Sequence, residues 1–469
     1  MNPQTVAEWT GLRPPAGLGY IAQALRENNI EYDVLDMQFG YSQKKLFQKI
    51  ADFGSDLIGF SLFSLGYKHS YDLIENVKKN FPDKKIIVGG SHVTILKKEV
   101  MQNCKAIDFA AIYEGERTLV ELCKSPQPEE FIKGIIFRKN GNLIYSGDRD
   151  WVFDIDSLSF PRYQKFELKR YIKEIEIFSS RGCSNRCIFC PNSVISPHYR
   201  ARSPENVGNE IEYWYAKGYR QFNFDDDNFN LNKMRTYLIC DEIVKRGLKN
   251  LYLRCANGLR ADNLDRALLA RMKEVGFRYI GIGVDGGNNR VLKMIKKGET
   301  IEQIERSVKD ACDLGFEVKL LCIIGYPGET MEDVEQSLAI AKKYPITTVH
   351  FYNLIPYPGT EVFELISKNS YFLMKPEQYL NEVSDLSSTP VFETPELPVK
   401  TRIKLLQKSR RVQKEVTVKA IKRMYNHIPL IGRFLGHLLS SDYFQKMLFR
   451  NFMLRKFIDD IRYRKAVKG

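Results

Sequence analysis

From Glu174 to about Phe363, short apolar runs recur at a spacing that leaves room for one helix between each pair, and this alternation constrains the fold most. The runs are Ile175–Phe178, Gln221–Phe224, Leu251–Cys255, Tyr279–Gly283, Glu317–Ile324 and Thr348–Leu354. Strands that pair in parallel need long crossovers, usually helical, so the pattern predicts a partial (β/α)6 barrel of the TIM type over residues 174–372. Reactive side chains then belong at the carboxyl ends of its strands.

A second α/β pattern precedes the first. Gly17–Arg26 reads as a helix, Tyr32–Leu35 as a strand, Lys44–Phe53 as a helix and Leu57–Ser61 as a buried strand. Tyr67–Asn80 is helical, Lys85–Val88 is a strand stopped by Gly89–Gly90, and Phe109–Ile112 is a strand ending at Glu114–Gly115–Glu116. This predicts a Rossmann-like doubly wound parallel sheet over residues 1–125, with ligands at its strand ends. Residues 126–173 carry Pro126, Pro128, Pro161 and a hairpin signal at Asn140–Gly141, a linker with a small β element. Residues 373–469 read as a basic helical region.

Charge narrows the partners. Residues 401–469 hold 18 Lys and Arg against 4 Asp and Glu, which accounts for the whole net charge of +14 and leaves residues 1–400 neutral. A nucleic-acid footprint over the main body is therefore not expected. In the tail, Leu430, Phe434, Leu435, Leu438, Leu439, Phe444, Leu448, Phe452, Leu454 and Phe457 recur at helical spacing among Arg and Lys. Such a helix either lies in the interface of an anionic membrane or packs on the barrel with its charges in water. Nine cysteines at irregular spacing, no secretory leader pattern and no long apolar run suit a reducing cytoplasm, with the inner membrane face as a peripheral location.

Cys183, Cys187 and Cys190 form a C-x3-C-x2-C loop directly after the first barrel strand. Thiolates are the soft ligands that iron–sulfur clusters select, and three of them bind three irons of a cubane while leaving the fourth open. A structural zinc site needs four closed ligands, and the nearest extra candidate, His198, lies outside the loop at no familiar spacing.

Arg181–Gly182–Cys183 through Cys190 resembles the cluster loop of the radical S-adenosylmethionine (SAM) superfamily. Phe224–Asp225–Asp226–Asp227–Asn228–Phe229, Gly281–Ile282–Gly283–Val284–Asp285–Gly286, Lys297–Gly298–Glu299–Thr300, Ile324–Gly325–Tyr326–Pro327–Gly328–Glu329–Thr330 and Pro356–Tyr357–Pro358–Gly359–Thr360 extend the match. The resemblance implies a [4Fe–4S] cluster on the three cysteines, with SAM on the open iron cleaved to a 5′-deoxyadenosyl radical. It implies SAM contacts from Phe189, which packs on adenine, and from Asp226, Asp227, Asp285 and Gly325. Asp285 stands where the family has Glu, and Asp225 to Asp227 also read as caps of the following helix.

Pro14–Pro15–Ala16–Gly17–Leu18–Gly19–Tyr20 resembles the opening of the cobalamin-binding subfamily. The loops at Ser61–Leu62, Gly89–Gly90–Ser91–His92 and Glu114–Gly115 are similar to its corrin-binding loops. Cobalamin is implied as a cofactor, bound by Ser61, Leu62, Gly89, Gly90, His92, Glu114 and Gly115. His92 and His69 also read as ordinary polar loop residues. Asp36–Met37–Gln38–Phe39–Gly40 stands where other cobalamin domains place a cobalt-ligating histidine, and Met1–Asn2–Pro3 matches the loop after a first strand that is not in the sequence.

The function implied is methylation of an unactivated carbon or a phosphinate phosphorus. The alternative is a radical cyclase, oxidase or C–C coupling enzyme, with or without cobalamin, on a lipid, isoprenoid or porphyrin-like substrate. Partners are a small or lipid-like substrate and an electron donor such as flavodoxin or ferredoxin. Methylthiolation is disfavoured, since only Cys104 and Cys123 lie in the first domain where that group uses three cysteines.

Overall fold

The computed structural model describes residues 12–124, 131–383 and 385–424. Its first sheet has β1 (Leu57–Ser61), β2 (Lys85–Gly89) and β3 (Phe109–Ala111) in parallel, with β2 in the middle. Ile86, Ile87 and Val88 are covered on both faces, and such burial stabilises by roughly 1.5–3 kcal/mol per side chain. Helices Ala16–Glu27, Gln43–Phe53 and Tyr67–Asn80 belong to this unit. Ser42 caps the second by accepting from Lys45 N, and Gly54, at φ 71°, ends it.

β4 (Ile135–Lys139) and β5 (Asn142–Tyr145) form a hairpin through Asn140 and Gly141, both at positive φ as a primed turn requires. β4 pairs antiparallel with β3, so the β element between the two α/β units is the edge of the first sheet. Ile136 buries toward one face and Ile135 and Phe137 toward the other, which draws the hairpin onto β3.

Tyr32–Leu35 joins no ladder among the described residues. Tyr32, Val34 and Leu35 pack against the core instead, and the turn that follows is capped by Asp36, which accepts from Gln38 N and from the Tyr171 hydroxyl. A strand here needs a neighbour on the outer side of β1, and the described residues supply none. Met1–Asn2–Pro3 lies outside the described range.

The second sheet contains β6 (Glu174–Ile177), β9 (Gln221–Phe224), β10 (Tyr252–Leu259), β11 (Phe277–Asp285), β12 (Glu317–Ile324) and β13 (Thr348–Asn353). All pair in parallel and in sequence order, and among the described residues the outer strands β6 and β13 do not pair with each other. Between β6 and β9, the short strands β7 (Ser180–Arg181) and β8 (Arg200–Ala201) form an antiparallel ribbon.

The helix Val399–Met424 packs on β13 and on the helix Met331–Lys343. Its buried stripe runs through Arg402, Leu405, Leu406, Ser409, Val412 and Val416, and its outer Lys408 and Arg410 pair with Glu335 and Asp385. Up to Met424 the basic tail is thus a helix packed on the second α/β unit. The apolar repeat from Leu430 to Phe457 lies outside the described residues, and no described helix is long and apolar enough to cross a membrane.

Candidate active site

The cysteine loop is the connection that joins β7 to β8. Gly182, at φ 79°, passes so close to the backbone that a Cβ there would stand 2.2 Å from the His198 carbonyl oxygen. Cys190 N donates to the Cys187 carbonyl (3.1 Å), and Ile188 bridges the loops after β11 and β13, donating to Ile295 O (3.2 Å) and accepting from Val362 N (3.0 Å).

All three cysteines are half-buried and free of disulfides. Burial pushes two of the thiols up, Cys187 to about 11 with Lys297 opposing and Cys190 to about 12 with the Asn192 N–H opposing. Cys187 feels Cys183 as a charge, and Cys190 feels both Cys187 and Cys183. Among the described residues no three His, Cys, Asp or Glu side chains converge on a single-ion position. Three free thiols on one loop are the donor set of a cubane, in which each thiolate holds its own iron.

The aspartates after β9 brace this loop. Asp226 is buried and accepts from Ser179 N (2.6 Å), Ser179 Oγ (2.5 Å) and Ser180 Oγ (2.7 Å). Asp227 accepts from Gly182 N (2.8 Å) and Asn192 Nδ2 (2.7 Å), one partner on each side of the cysteines. Burial raises both carboxyls, opposed for Asp226 chiefly by Arg235 and for Asp227 chiefly by the Gly182 N–H. Neither caps the following helix, Lys233–Lys245; Asn232 does, accepting from Arg235 N.

Asp285 ends β11 at φ 58°, a left-handed conformation that strains a non-glycine residue. Its carboxylate meets Lys297 Nζ at 2.5 Å, and Glu299 is 3.3 Å from the same ammonium. Lys297 is buried; burial opposes its charge, but the two carboxylates outweigh it and hold the ammonium above its ordinary value.

Gly325, at φ 105°, is shaped by Arg402: a Cβ would stand 2.1 Å from the guanidinium carbon. The Arg402 side chain donates to Asn353 Oδ1 (2.5 Å), Leu354 O (3.1 Å) and Ile324 O (3.3 Å) at the ends of β12 and β13. Glu329 accepts from Gly325 N (2.5 Å) and Tyr326 N (3.1 Å), and burial pushes its carboxyl up to about 7. Phe189 lies with its ring centroid 5.6 Å from that of Tyr326. Around this face, Asn228 Oδ1, Tyr326 OH and Glu329 Oε1 are buried without a hydrogen-bond partner. Unsatisfied buried polar atoms are costly, and these fit a polar cofactor such as SAM between the cluster loop and the ends of β9 and β12.

In the first sheet, Ser61, Gly89, Gly90 and Gly115 lie half-exposed at or beyond the strand ends. Leu62 is buried and dovetails with the glycine pair, its N donating to Gly89 O (2.8 Å), and a Cβ on Gly90 would stand 2.6 Å from Leu62 O. His92 is fully buried, 2.9 Å from the Tyr71 hydroxyl, 3.3 Å from Ser64 Oγ and stacked on Tyr67 at 4.6 Å. Burial lowers its pKa to about 4, so it is a neutral packed histidine inside the unit. The Asp36–Gly40 turn presents no imidazole, and the glycine shelf it leaves suits a corrin without a protein ligand on cobalt.

Glu114 does not stand open to a ligand. It accepts from Arg181 Nη1 (2.8 Å) and Arg200 Nη1 (2.8 Å), while Glu116 accepts from Arg181 Nη2 (2.7 Å). Burial would raise the Glu114 carboxyl, but the two arginines hold it below its ordinary value. Arg181 also lies over the Tyr20 ring (4.7 Å) and Arg200 over Trp151 (4.7 Å). The helix Ser91–Leu96 contacts the helix Asn192–Ile195 that follows the cysteines, and a Cβ on Gly359 would touch both Ile95 and Val194. The carboxyl ends of the two sheets therefore meet around the cysteine loop.

Sequence reasoning missed Arg181, Arg200 and Arg402. Arg402 left a signal: it is a charged residue on the apolar stripe of its helix. The two others left none, because their partners lie 67 and 86 residues away.

Residues 177–341 match the model of the radical SAM superfamily, and residues 5–123 match that of the B12 binding domain. The uncharacterized methyltransferase PH0819 of Pyrococcus horikoshii is 30% identical over 373 residues, 77% of this chain and 80% of that protein. The anaerobic magnesium-protoporphyrin IX monomethyl ester cyclase of Cereibacter sphaeroides is 24% identical over 76% of this chain, which spans 61% of the cyclase. The radical SAM methyltransferase TsrM from Kitasatospora setae, solved with cobalamin and a [4Fe–4S] cluster bound, shares the fold at a TM-score of 0.71 and 17% identity, over 86% of this chain and 87% of that one.

Proposed function

The chain belongs to the cobalamin-binding radical SAM family and is a methyltransferase-like enzyme of it, and on that premise we propose that it methylates an unactivated carbon, or a phosphinate phosphorus, of a small or lipid-like substrate. One observation carries this reading: the ion pairs of Arg181 and Arg200 with Glu114 hold the glycine-lined ends of the first sheet against the cysteine loop of the second. Methyl transfer to a substrate radical needs both cofactors at one face, and this contact supplies that face.

When bound, the cluster and SAM supply the radical and cobalamin the methyl group. The protein's part is positioning. Cys183, Cys187 and Cys190 hold the cluster, Asp226 and Asp227 fix the loop that carries them, and Asn228, Tyr326 and Glu329 offer buried polar atoms that have no partner within the protein. Ser61, Gly89, Gly90 and Gly115 leave a shelf free of large side chains for the corrin. The electron comes from a donor such as flavodoxin or ferredoxin.

The cyclase relatives favour a second reading, ring formation or C–C coupling on a porphyrin-like or isoprenoid substrate with SAM as radical source alone. Anaerobically reconstituted protein, loaded with cobalamin and given SAM and candidate substrates, separates the two. Formation of both S-adenosylhomocysteine and 5′-deoxyadenosine supports methylation; 5′-deoxyadenosine alone, with a cyclised or coupled product, supports the second reading.

A further inference from the structure

We infer that Asn185 and Asn228 set the reduction potential of the cluster by donating N–H···S hydrogen bonds to the Cys183 sulfur. The inference rests on the reading that the three cysteines hold a [4Fe–4S] cluster, and it concerns what distinguishes one of them.

Two side-chain amides converge on Cys183. Asn185 Nδ2 is 3.3 Å from its Sγ and Asn228 Nδ2 is 3.8 Å away, within the reach of the large sulfur atom. Asn185 comes from the cysteine loop, whereas Asn228 comes from the end of the Phe224–Phe229 run, 45 residues on. An iron-bound thiolate has no proton to give, so the NH2 side of each amide must face it. The Asn228 amide is buried, its Oδ1 has no partner, and its chain neighbours Asp226 and Asp227 are tied to Ser179, Ser180, Gly182 and Asn192. The donor is therefore held where it is by the same braces that fix the loop.

The other two cysteines are treated differently. Cys190 is met by a backbone N–H, that of Asn192, which no side-chain change removes. Cys187 feels Lys297, whose ammonium is offset at close range by both Asp285 and Glu299. The adjustable donors thus fall on Cys183.

One electron, delivered by a one-electron carrier, adds one negative charge to the cluster and its thiolates, and no bond forms or breaks. A donor aimed at a sulfur stabilises the more negative state more, and burial strengthens that preference, so both amides shift reduction toward positive potential. Each donor contributes about a tenfold change in the reduction equilibrium, which is about 59 mV for one electron.

The test is a mediator titration with dithionite, followed by electron paramagnetic resonance, on the full-length reconstituted protein. Asn185→Ala and Asn228→Ala should each move the midpoint negative, and the double variant should move it further. Asn228→Asp keeps the shape without the N–H and should move it at least as far as alanine. Unchanged midpoints in variants that hold wild-type iron and sulfide overturn the inference while leaving the cluster reading intact. A wild-type chain that assembles no [4Fe–4S] signal removes the reading itself, and the inference with it. Should Asn228→Ala fail to fold, Asn185→Ala, on the half-exposed loop, carries the test alone.

Discussion

Arg181 and Glu114 meet with Nη1 2.8 Å from Oε1, and through that pair the residue two positions before the first cluster cysteine is tied to the end of the third strand of the other sheet. Arg181 also reaches Glu116, and Arg200 doubles the contact on Glu114. Each of these carboxylates is largely buried, so the pairs are screened far less than surface ones. The clasp sets the spacing between the corrin shelf and the cluster loop.

Arg181→Lys keeps the charge but loses the fork that reaches both glutamates. We expect a loss of about 1.5–3 kcal/mol in urea unfolding, as for a hydrogen bond to a charged group. The functional effect should be selective: 5′-deoxyadenosine still forms, while methyl transfer falls by about 100-fold, the scale of a small misplacement of reacting groups. Equal loss of both products would show that the clasp supports the fold rather than the spacing.

Replacement of Cys183, Cys187 or Cys190 by alanine should leave a chain that holds substoichiometric iron and forms no 5′-deoxyadenosine. Iron and sulfide assay together with product analysis checks this. A triple variant that still binds four irons and cleaves SAM would remove the cluster from this loop.

Gly325→Ala places a methyl group where the Arg402 guanidinium lies and forces φ 105° on a residue with a Cβ. Strain at such a backbone position costs on the order of 1–3 kcal/mol, and the collision adds to it. In a double-mutant cycle with Arg402→Ala the two losses should fall short of additivity, because the second change removes the collision of the first. Strict additivity in thermal unfolding would dissociate the glycine from the arginine.

How much of this was legible beforehand follows from how local each signal is. The six strands of the second sheet, the hairpin at Asn140–Gly141 and the cysteine loop rest on periodicity, turn chemistry and spacing within a few residues, and the sequence carries all three. Tyr32–Leu35 has strand composition but pairs with no neighbour among the described residues, and strand formation is a property of pairs. Asp226 and Asp227 were recognised as site residues, yet their donors, Ser179, Ser180, Gly182 and Asn192, lie 35 to 47 residues upstream, so nothing local marked them as braces. Glu114 and His92 were visible as polar residues at strand ends; that one is clasped by arginines and the other enclosed by two tyrosines depends on segments far away in the chain.

Glu329 gives a pH dependence with a definite sign. Its folded-state pKa, about 7, stands above the ordinary carboxyl value of 4.5, so the folded chain holds a proton that the unfolded chain releases between those two values. Stability from this group is full below pH 4.5 and is lost as pH rises toward 7, by up to about 3 kcal/mol at 1.36 kcal/mol per pKa unit. Glu329→Gln keeps an acceptor for Gly325 N and Tyr326 N and cannot ionise. It should therefore match the wild type near pH 5 and exceed it at pH 8 in urea midpoint. A wild-type advantage at pH 8 would mean that the charged form is the one the site holds.

The last prediction concerns cobalt. A protein imidazole can reach a corrin only from a side chain that stands at the strand ends, and neither the Asp36–Gly40 turn nor His92 presents one there. The Asp36–Gly40 turn has Gln38, and His92 is enclosed by Tyr67, Tyr71 and Ser64 and kept neutral by burial. Drawing His92 out would break its contacts with Tyr71 and Ser64 and expose the space behind it, at a cost of the order of 1–3 kcal/mol for each buried polar group left unpaired. Cobalamin bound to the purified chain should consequently show a base-off absorbance spectrum. After reduction by one electron, its paramagnetic resonance should lack the splitting that an axial imidazole nitrogen gives. Splitting that persists with cobalamin lacking its own nucleotide base would place a protein histidine on cobalt, and the glycine shelf would then not be the corrin's resting surface.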